Sequence, residues 1–275
     1  MSTKKHKPRP ARGATKQQER DRARRRAARM EQATATRQAE RKRTAQVAVV
    51  VLVVLAAVAA IVVLTKVLGS DADSDRAAAA DLPANCTTAP PVPGTAPQLA
   101  LPDAATAAGK EFEAVITTNC GDITVDLDGT RAPQAVASFL TLAEASFYND
   151  SPCHRLLASG NVVLQCGDPT GTGTGGPGYG YGVEYVPEDG SYPRGTLAMA
   201  RTADLEQGTG SQFFIVNQDS MWPPSGGGYT IFGNVTSGME IVDQVVAAGV
   251  AGGGTDGSPA LPLSILRIAV TEKKV

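Results

Sequence analysis

The sequence predicts a mainly β domain, a barrel or sandwich with helical caps, preceded by one transmembrane helix. Two observations predict the β domain. About eight short strand-like runs and two helical stretches fall within residues 110–275, and no regular strand–helix–strand alternation arranges them. A third observation predicts the membrane helix, because residues 44–65 contain no charged side chain.

Charge is distributed unevenly along the 275 residues, although the formal net charge is only −1. Residues 1–43 hold sixteen Lys and Arg against four acidic residues, a net of +12, whereas the rest of the chain carries −13. This difference indicates that the two ends meet different surroundings. The basic segment has no aromatic residue and too little apolar surface to offset the entropy of ordering, so we expect a disordered tail.

The uncharged run is long enough to cross a bilayer, since about 20 apolar residues span the ~30 Å hydrocarbon core. Residues 47–64 are exclusively Val, Leu, Ala and Ile. A buried core helix would show a polar stripe, and a cleaved secretory signal would have a shorter basic leader and a shorter apolar run. The sequence therefore predicts a retained transmembrane helix over residues 44–66.

Orientation follows from Arg41, Lys42 and Arg43, which directly precede the span. Positive residues stay on the cytoplasmic side, so we expect a single-pass protein of the bacterial cell membrane with a cytoplasmic tail and an extracytoplasmic domain. Anionic lipid headgroups are a candidate partner for the tail, whose simplest alternative role is to set topology. Nucleic acid is not expected as a partner, because the tail lacks aromatic residues for stacking.

The outer part of the chain divides into two segments. Residues 67–109 are rich in Pro, Ala and Asp, which predicts a partly stiff linker. Residues 110–275 predict the folded domain, with alternating strands near its start, a helix opening at Pro133, and a second helix over residues 238–248. Further strands are predicted at residues 153–157, 162–166, 196–200, 212–216, 229–234 and 263–271.

All four cysteines, Cys86, Cys120, Cys153 and Cys166, lie on the predicted outer side, where disulfides persist. Four cysteines allow three connectivities. Cys153 and Cys166 flank a short turn, which favours that bridge and leaves Cys86 with Cys120; free buried thiols are the alternative. A metal site is not expected, because the chain has only two histidines and only His154 lies on this side.

Common catalytic patterns are poorly supported. A bare GxGxxG match over residues 171–176 is followed by Pro177 and Gly178, so no helix N-terminus is available to bind a phosphate. Ser211 does not lie in a GxSxG motif, and only His154 is available as a base on the outer side. These observations argue against nucleotide binding and serine hydrolysis.

Five short motifs occur in order within the predicted domain. They are His154-Arg155, Gln165-Cys166-Gly167-Asp168, Gly173-Thr174-Gly175-Gly176, Leu197-Ala198-Met199-Ala200 and Gly210-Ser211-Gln212-Phe213-Phe214-Ile215. With suitable gaps between them, these motifs resemble the cyclophilin family of peptidyl-prolyl cis–trans isomerases over about residues 110–275. The resemblance implies a closed eight-stranded antiparallel barrel capped by two α-helices. It also implies isomerisation of X-Pro bonds, here in extracytoplasmic proteins, with assistance to their folding.

The chemistry implied by the resemblance needs neither cofactor nor metal. Rotation about the peptide bond is slow because resonance imposes a barrier of ~18–20 kcal/mol, and no bond is broken. A guanidinium that donates to the prolyl nitrogen stabilises the twisted amide selectively, since only then is that lone pair a good acceptor.

The resemblance also assigns roles to residues. Arg155 is the expected catalytic arginine, and Gln165 the polar neighbour that positions it. The remaining expected contacts, with proline-containing unfolded or secreted polypeptides as substrates, are Val162, Val163, Gln212, Phe214, Trp222, Tyr229, Gly173 and Gly175. Phe214 is expected at the floor of the proline pocket, and Trp222 at its rim.

Departures from the family pattern leave alternatives open. Val162 stands where an aromatic residue is usual, a loss worth about 1 kcal/mol of packing on the proline ring. Arg201 stands where an asparagine is usual. One alternative is therefore a membrane-tethered binding module or chaperone for proline segments that is weakly catalytic or inactive. Another places the role of the protein in its basic tail.

Overall fold

The computed structural model of the chain describes residues 82–274. The predicted tail, residues 1–43, and the predicted transmembrane helix, residues 44–66, lie outside this part. Within residues 82–274, neither α-helix has the length and apolar character that a bilayer crossing requires.

Twelve strands and two α-helices are described between residues 111 and 272. The helices are α1, Pro133–Glu144, and α2, Met239–Ala248. The strands are β1 Glu111–Thr118, β2 Gly121–Asp128, β3 Ser151–Pro152, β4 Arg155–Leu157, β5 Val163–Cys166, β6 Ser191–Tyr192, β7 Thr196–Arg201, β8 Thr209–Val216, β9 Ser220–Met221, β10 Ile231–Ser237, β11 Asp256–Gly257 and β12 Ser264–Glu272.

Ten of these strands form one antiparallel sheet in the order β11-β4-β5-β8-β7-β10-β2-β1-β12-β3, and β6 pairs separately with β9. The chain steps from one end of this sheet to the other within two residues. β3 pairs with β12 at one end, whereas β4, which follows after Cys153 and His154, lies between β11 and β5 at the other. The sheet is therefore curled, and its two ends are linked by the chain itself.

The mainly β fold with two helices is confirmed, but the expectation of a closed eight-stranded barrel is wrong. The sheet is a curled half-barrel of ten strands, whose end strands β11 and β3 do not pair with each other. Pro152 contributes to this opening, because it has no N–H and cannot continue the ladder beyond β3. β3 and β11 are two residues long, too short to show a hydrophobic period.

The core fills the concave side of the sheet, as the alternation in β1 and β2 predicts. Ile116 and Ile123 are buried there, and the apolar face of α1 belongs to the same buried cluster. Phe139 of α1 packs edge-on against Phe213 of β8 at 5.7 Å between ring centroids. Phe213 therefore belongs to the core, and its neighbour Phe214 points to the other face of β8.

Residues 82–109, the described part of the predicted linker, form an amino-terminal arm that lies against the sheet. A disulfide joins Cys86 to Cys120 at the β1–β2 turn. Further along, the Leu99 N–H donates to the Pro177 carbonyl at 2.8 Å, and the Gly94 N–H to the Pro169 carbonyl at 3.2 Å. The arm thus runs behind the glycine-rich segment 167–178, a contact that its proline content does not predict.

Helix α1 is capped by a residue far along the chain. Its N-cap position, Ala132, offers no side-chain acceptor. Instead, the Glu184 carboxylate accepts the N–H groups of Gln134 and Ala135, each at 2.8 Å. Two of the unpaired donors at this helix start are thereby satisfied.

We expect Glu184→Ala to lower the free energy of unfolding by about 1–2 kcal/mol, because both helix donors lose their acceptor. Urea denaturation of the purified full-length protein measures this change. Glu188→Ala, at an exposed position nearby, is the control and should stay within about 0.5 kcal/mol of wild type. Equal losses in the two variants would contradict the capping role.

Candidate active site

Strand register places three of the predicted site residues on one face of the sheet. Arg155 on β4 lies opposite Gln165 on β5, which lies opposite Phe214 on β8. Residues directly opposite on neighbouring antiparallel strands point to the same side. Leu164 and Ile215, which alternate with these residues, point into the core instead. The same alternation that builds the core therefore assembles the site.

A chain of hydrogen bonds connects Arg155 to the glycine-rich segment. Arg155 Nη1 donates to Gln165 Oε1 at 3.4 Å, and Gln165 Nε2 donates to Gln212 Oε1 at 2.8 Å. Gln212 Nε2 then donates to the carbonyls of Gly173 at 3.0 Å and Gly175 at 2.9 Å. Each amide is held in one orientation, so that the oxygen of Gln165 faces the guanidinium.

Asp168 holds the glycine-rich segment from within. Its side chain is fully buried and accepts N–H groups from Gly173 at 2.7 Å and Gly175 at 3.0 Å. Burial opposes its ionisation, but these bonds and two from Thr170 lower the pKa of Asp168 below its usual value. The motif Gln165-Cys166-Gly167-Asp168 includes this residue, although it does not reveal the role of the carboxylate.

Two glycines of this segment cannot carry a side chain without strain. A Cβ on Gly175 would lie 2.0 Å from Asp168 Oδ1, and Gly173 has a φ of +79°. Gly175 allows the backbone to approach Asp168 closely, and Gly173 adopts a left-handed backbone conformation. This explains why glycine occupies both predicted positions.

An aromatic cluster lies beside this polar chain. The rings of Phe214 and Tyr229 are 5.2 Å apart, and each lies 5.6 Å from Trp222. Tyr192, which the sequence reasoning missed, packs edge-on against Trp222 at 4.9 Å. Its hydroxyl donates to the Tyr229 carbonyl at 3.0 Å and accepts the Tyr229 N–H at 2.8 Å, which fixes the pocket wall.

Of the two predicted valines, only Val163 is placed in the cluster around Phe214. Val162 is also buried but lies outside that cluster, and its carbonyl accepts the Asn217 N–H at 2.9 Å. The cluster around Phe214 therefore includes a small branched side chain at Val163.

Arg201, noted in the sequence only as a departure, supports the segment that carries Tyr229. Its guanidinium donates to the carbonyls of Gly226 and Gly228, both at 2.7 Å. The same group lies 5.2 Å from the centroid of the Tyr229 ring, within cation–π range. Arg201 thus holds the ring in place from outside the pocket.

Asp256 is a second partner of Arg155 that the sequence reasoning missed. Arg155 Nε donates to Asp256 Oδ1 and Nη2 to Oδ2, each at 2.7 Å. These bonds raise the pKa of Arg155 above its usual value and lower the pKa of Asp256 below its own. Both groups therefore remain charged at neutral pH.

The two disulfides follow the pairing that the sequence favours, and one of them borders the site. Cys153 is joined to Cys166, and Cys86 to Cys120. The first bridge joins Cys153, two residues before Arg155, to Cys166, which follows Gln165 at the end of β5. Such a bridge restricts the unfolded chain and, with its cysteines 13 positions apart in the sequence, is worth about 3 kcal/mol.

Comparison with known proteins agrees with this geometry. A family model described as cyclophilin type peptidyl-prolyl cis-trans isomerase/CLD matches residues 114–270. A probable peptidyl-prolyl cis-trans isomerase B of Mycobacterium tuberculosis is 39% identical over 166 residues, covering 56% of this chain and 52% of the relative. The chain thus spans about half the length of this curated relative. A peptidyl-prolyl cis-trans isomerase of Helicobacter pylori is 42% identical over 138 residues, covering 50% of this chain and 81% of the relative.

A solved structure is also similar. It is the crystal structure of a Cryptosporidium parvum cyclophilin type peptidyl-prolyl cis-trans isomerase in the presence of the dipeptide Ala-Pro. The TM-score is 0.50 at 31% sequence identity, and the match covers 58% of this chain and 98% of the other.

Gly175→Ala should lower the free energy of unfolding by about 1–3 kcal/mol, because the added methyl group forces the segment away from Asp168. Gly176→Ala is a matched control, since a Cβ there meets no atom within 4 Å. Thermal and urea unfolding of both variants measure the difference. Two equally stable variants would contradict the close approach described for Gly175.

Stability should also depend on the protonation of His154, whose pKa burial lowers below the usual histidine value. The unfolded chain then binds this proton more readily than the folded one. The free energy of unfolding that depends on His154 is therefore highest above the pKa of this histidine in the unfolded chain, about 6.5. It decreases as the pH falls from there through the pKa in the folded protein. Urea unfolding at pH 7.5 and 5.5 should show a smaller decrease in His154→Gln than in wild type. The same decrease in both would refute this assignment.

Proposed function

We propose that this chain, which belongs to the cyclophilin-type peptidyl-prolyl cis–trans isomerase family, accelerates the cis–trans rotation of X-Pro peptide bonds. One observation carries the proposal. A charged guanidinium, Arg155, and an aromatic cluster built on Phe214 share one face of the sheet and are linked through Gln165. A cation beside an apolar pocket is the pair of features that this rotation needs.

Arg155 acts on the prolyl nitrogen. In the planar amide the nitrogen lone pair is delocalised into the carbonyl, and the barrier to rotation is ~18–20 kcal/mol. In the twisted state that delocalisation is lost, and the lone pair accepts a hydrogen bond from a guanidinium N–H. The interaction is therefore stronger in the transition state than in the ground state, which is the condition for a faster rate.

The aromatic pocket holds the proline ring while the preceding carbonyl moves. The rings of Phe214, Trp222 and Tyr229 pack against one another with centroids 5.2 to 5.6 Å apart, and together they offer an apolar surface to that ring. Apolar contact of this kind favours a compact ring without demanding a particular neighbour. The Ala-Pro dipeptide named with the Cryptosporidium structure supports proline-containing peptides as the substrate class.

The proposed substrates are unfolded or secreted proteins outside the cytoplasm, whose folding the enzyme assists. The predicted transmembrane helix over residues 44–66 supports this placement, as does the positive charge before it. Two disulfides add to the argument, because such bonds persist in oxidising compartments. Contact of the basic tail with anionic lipid headgroups is part of the same proposal.

A weaker second candidate is a module that binds proline segments with little turnover. Val163 in the pocket cluster favours it, because a small wall packs less well on a proline ring than an aromatic one. Such a module would bind a proline peptide and leave its rotation rate unchanged.

Arg155→Ala should reduce kcat/KM by about 100-fold or more in a proline-isomerisation assay of the full-length protein, because the transition state loses its donor. Arg155→Lys should recover little of this loss, since an ammonium lacks the fixed planar donors of a guanidinium. Arg267→Ala, at an exposed site on β12, is the control and should match wild type. Equal rates for wild type and Arg155→Ala would overturn the enzymatic proposal, and peptide binding by both would favour the binding module.

A further inference from the structure

We propose that Asp256 is a positioning residue for Arg155, an inference that rests on the proposed function. Asp256 fixes the guanidinium so that its remaining donors face the proline pocket. The two side chains meet through a pair of parallel hydrogen bonds, each 2.7 Å long.

The contacts of the guanidinium show which partner sets its orientation. A guanidinium has five N–H donors in one plane. Asp256 binds Nε and Nη2, which lie along one edge, whereas Gln165 meets Nη1 at the longer distance of 3.4 Å. A bidentate carboxylate fixes the plane as well as the position of the group. The orientation therefore depends mainly on Asp256.

The strand order gives this orientation a direction. β4 lies between β11 and β5, so Asp256 and Gln165 approach Arg155 from opposite sides. Asp256 lies directly opposite Leu157, which is two residues after Arg155 on β4. Asp256 is therefore the diagonal neighbour of Arg155 across the two paired strands. Anchoring one edge of the guanidinium toward β11 turns Nη1 toward β5 and the row that contains Phe214.

The backbone around Asp256 is held independently of the ion pair. The Ala158 N–H donates to the Thr255 carbonyl at 2.8 Å, and the Ala251 N–H to the Ser258 carbonyl at 2.8 Å. Removing the carboxylate therefore leaves the β11 segment supported, and a variant at Asp256 tests the side chain alone.

The ion pair contributes to geometry more than to stability. Both side chains are 47% exposed, and exposed pairs add little to the free energy of unfolding. The guanidinium remains available for the reaction, because Asp256 binds two of its five donors and Gln165 approaches one more. Two N–H groups are left for a twisted prolyl nitrogen.

The chain contains a matched ion pair away from the site. Arg194 donates to both carboxylate oxygens of Asp243 on α2, each at 2.8 Å. Its side chains are 41% and 50% exposed, close to the values for Arg155 and Asp256. Asp243 Oδ1 also accepts a hydrogen bond from Asn217 Nδ2 at 2.8 Å, so Asp243→Asn disturbs at least as many contacts as Asp256→Asn, at a place outside the pocket.

The test compares kcat and KM of full-length wild type, Asp256→Asn, Asp256→Glu and Asp243→Asn on a proline-containing tetrapeptide. Asp256→Asn should lower kcat about tenfold, because a misaligned donor loses transition-state stabilisation, while KM stays within about twofold. Asp256→Glu keeps a bidentate carboxylate and should recover at least half of the lost kcat. Asp243→Asn should match wild type in both constants.

An NMR measurement reports the orientation without relying on activity. The Nε–H signal of Arg155, assigned by its loss in Arg155→Lys, should be shifted and protected from exchange in wild type and in Asp243→Asn. Asp256→Asn should lose both properties, with an unfolding midpoint close to that of Asp243→Asn.

Unchanged or increased kcat in Asp256→Asn would overturn the positioning role, as would an equal decrease in Asp243→Asn or an effect confined to KM. Those results leave the proposed function intact as long as wild type is active and Arg155→Ala is not. A wild-type protein that runs at the uncatalysed rate would instead overturn the proposed function.

Discussion

The pairing of β5 with β4 and β8 is the constraint on which the site depends. A slip of one residue would turn Gln165 into the core and Leu164 outward, since strand side chains alternate between faces. The core opposes such a slip, because it would expose apolar surface along both neighbouring strands. The disulfide between Cys153 and Cys166 opposes it from one end. Site geometry is thus maintained by the same forces that maintain the fold.

On this framework the site combines two kinds of rigidity. A series of hydrogen bonds runs from buried Asp168 through the glycine-rich segment and Gln212 to Gln165. Each side-chain amide can therefore make its hydrogen bonds in only one orientation. An aromatic wall is held by the Tyr192 hydroxyl, which both donates to and accepts from the backbone of Tyr229. Reaction groups fixed before the substrate arrives lose little entropy at the transition state.

Much of the fold and most of the site follow from local pattern and from the family resemblance. Strands β1 and β2 have eight residues each with clear alternation, whereas β3 and β11 have two each and carry no period. The expectation of a closed barrel was wrong because closure depends on the pairing of those short end strands, which the sequence pattern does not reveal. Arg155 could be identified from its motif, but Asp256 lies 101 residues further on, and a polar contact at that separation leaves no pattern in sequence.

The amino-terminal arm has a mechanical consequence. A force applied to the chain before Leu82 reaches the covalent bond between Cys86 and Cys120 before it reaches the arm residues behind the glycine-rich segment. The load passes into the β1–β2 turn, at the far side of the sheet order from β4 and β5. The disulfide therefore shields the arm residues behind the glycine-rich segment from tension in the chain that precedes it.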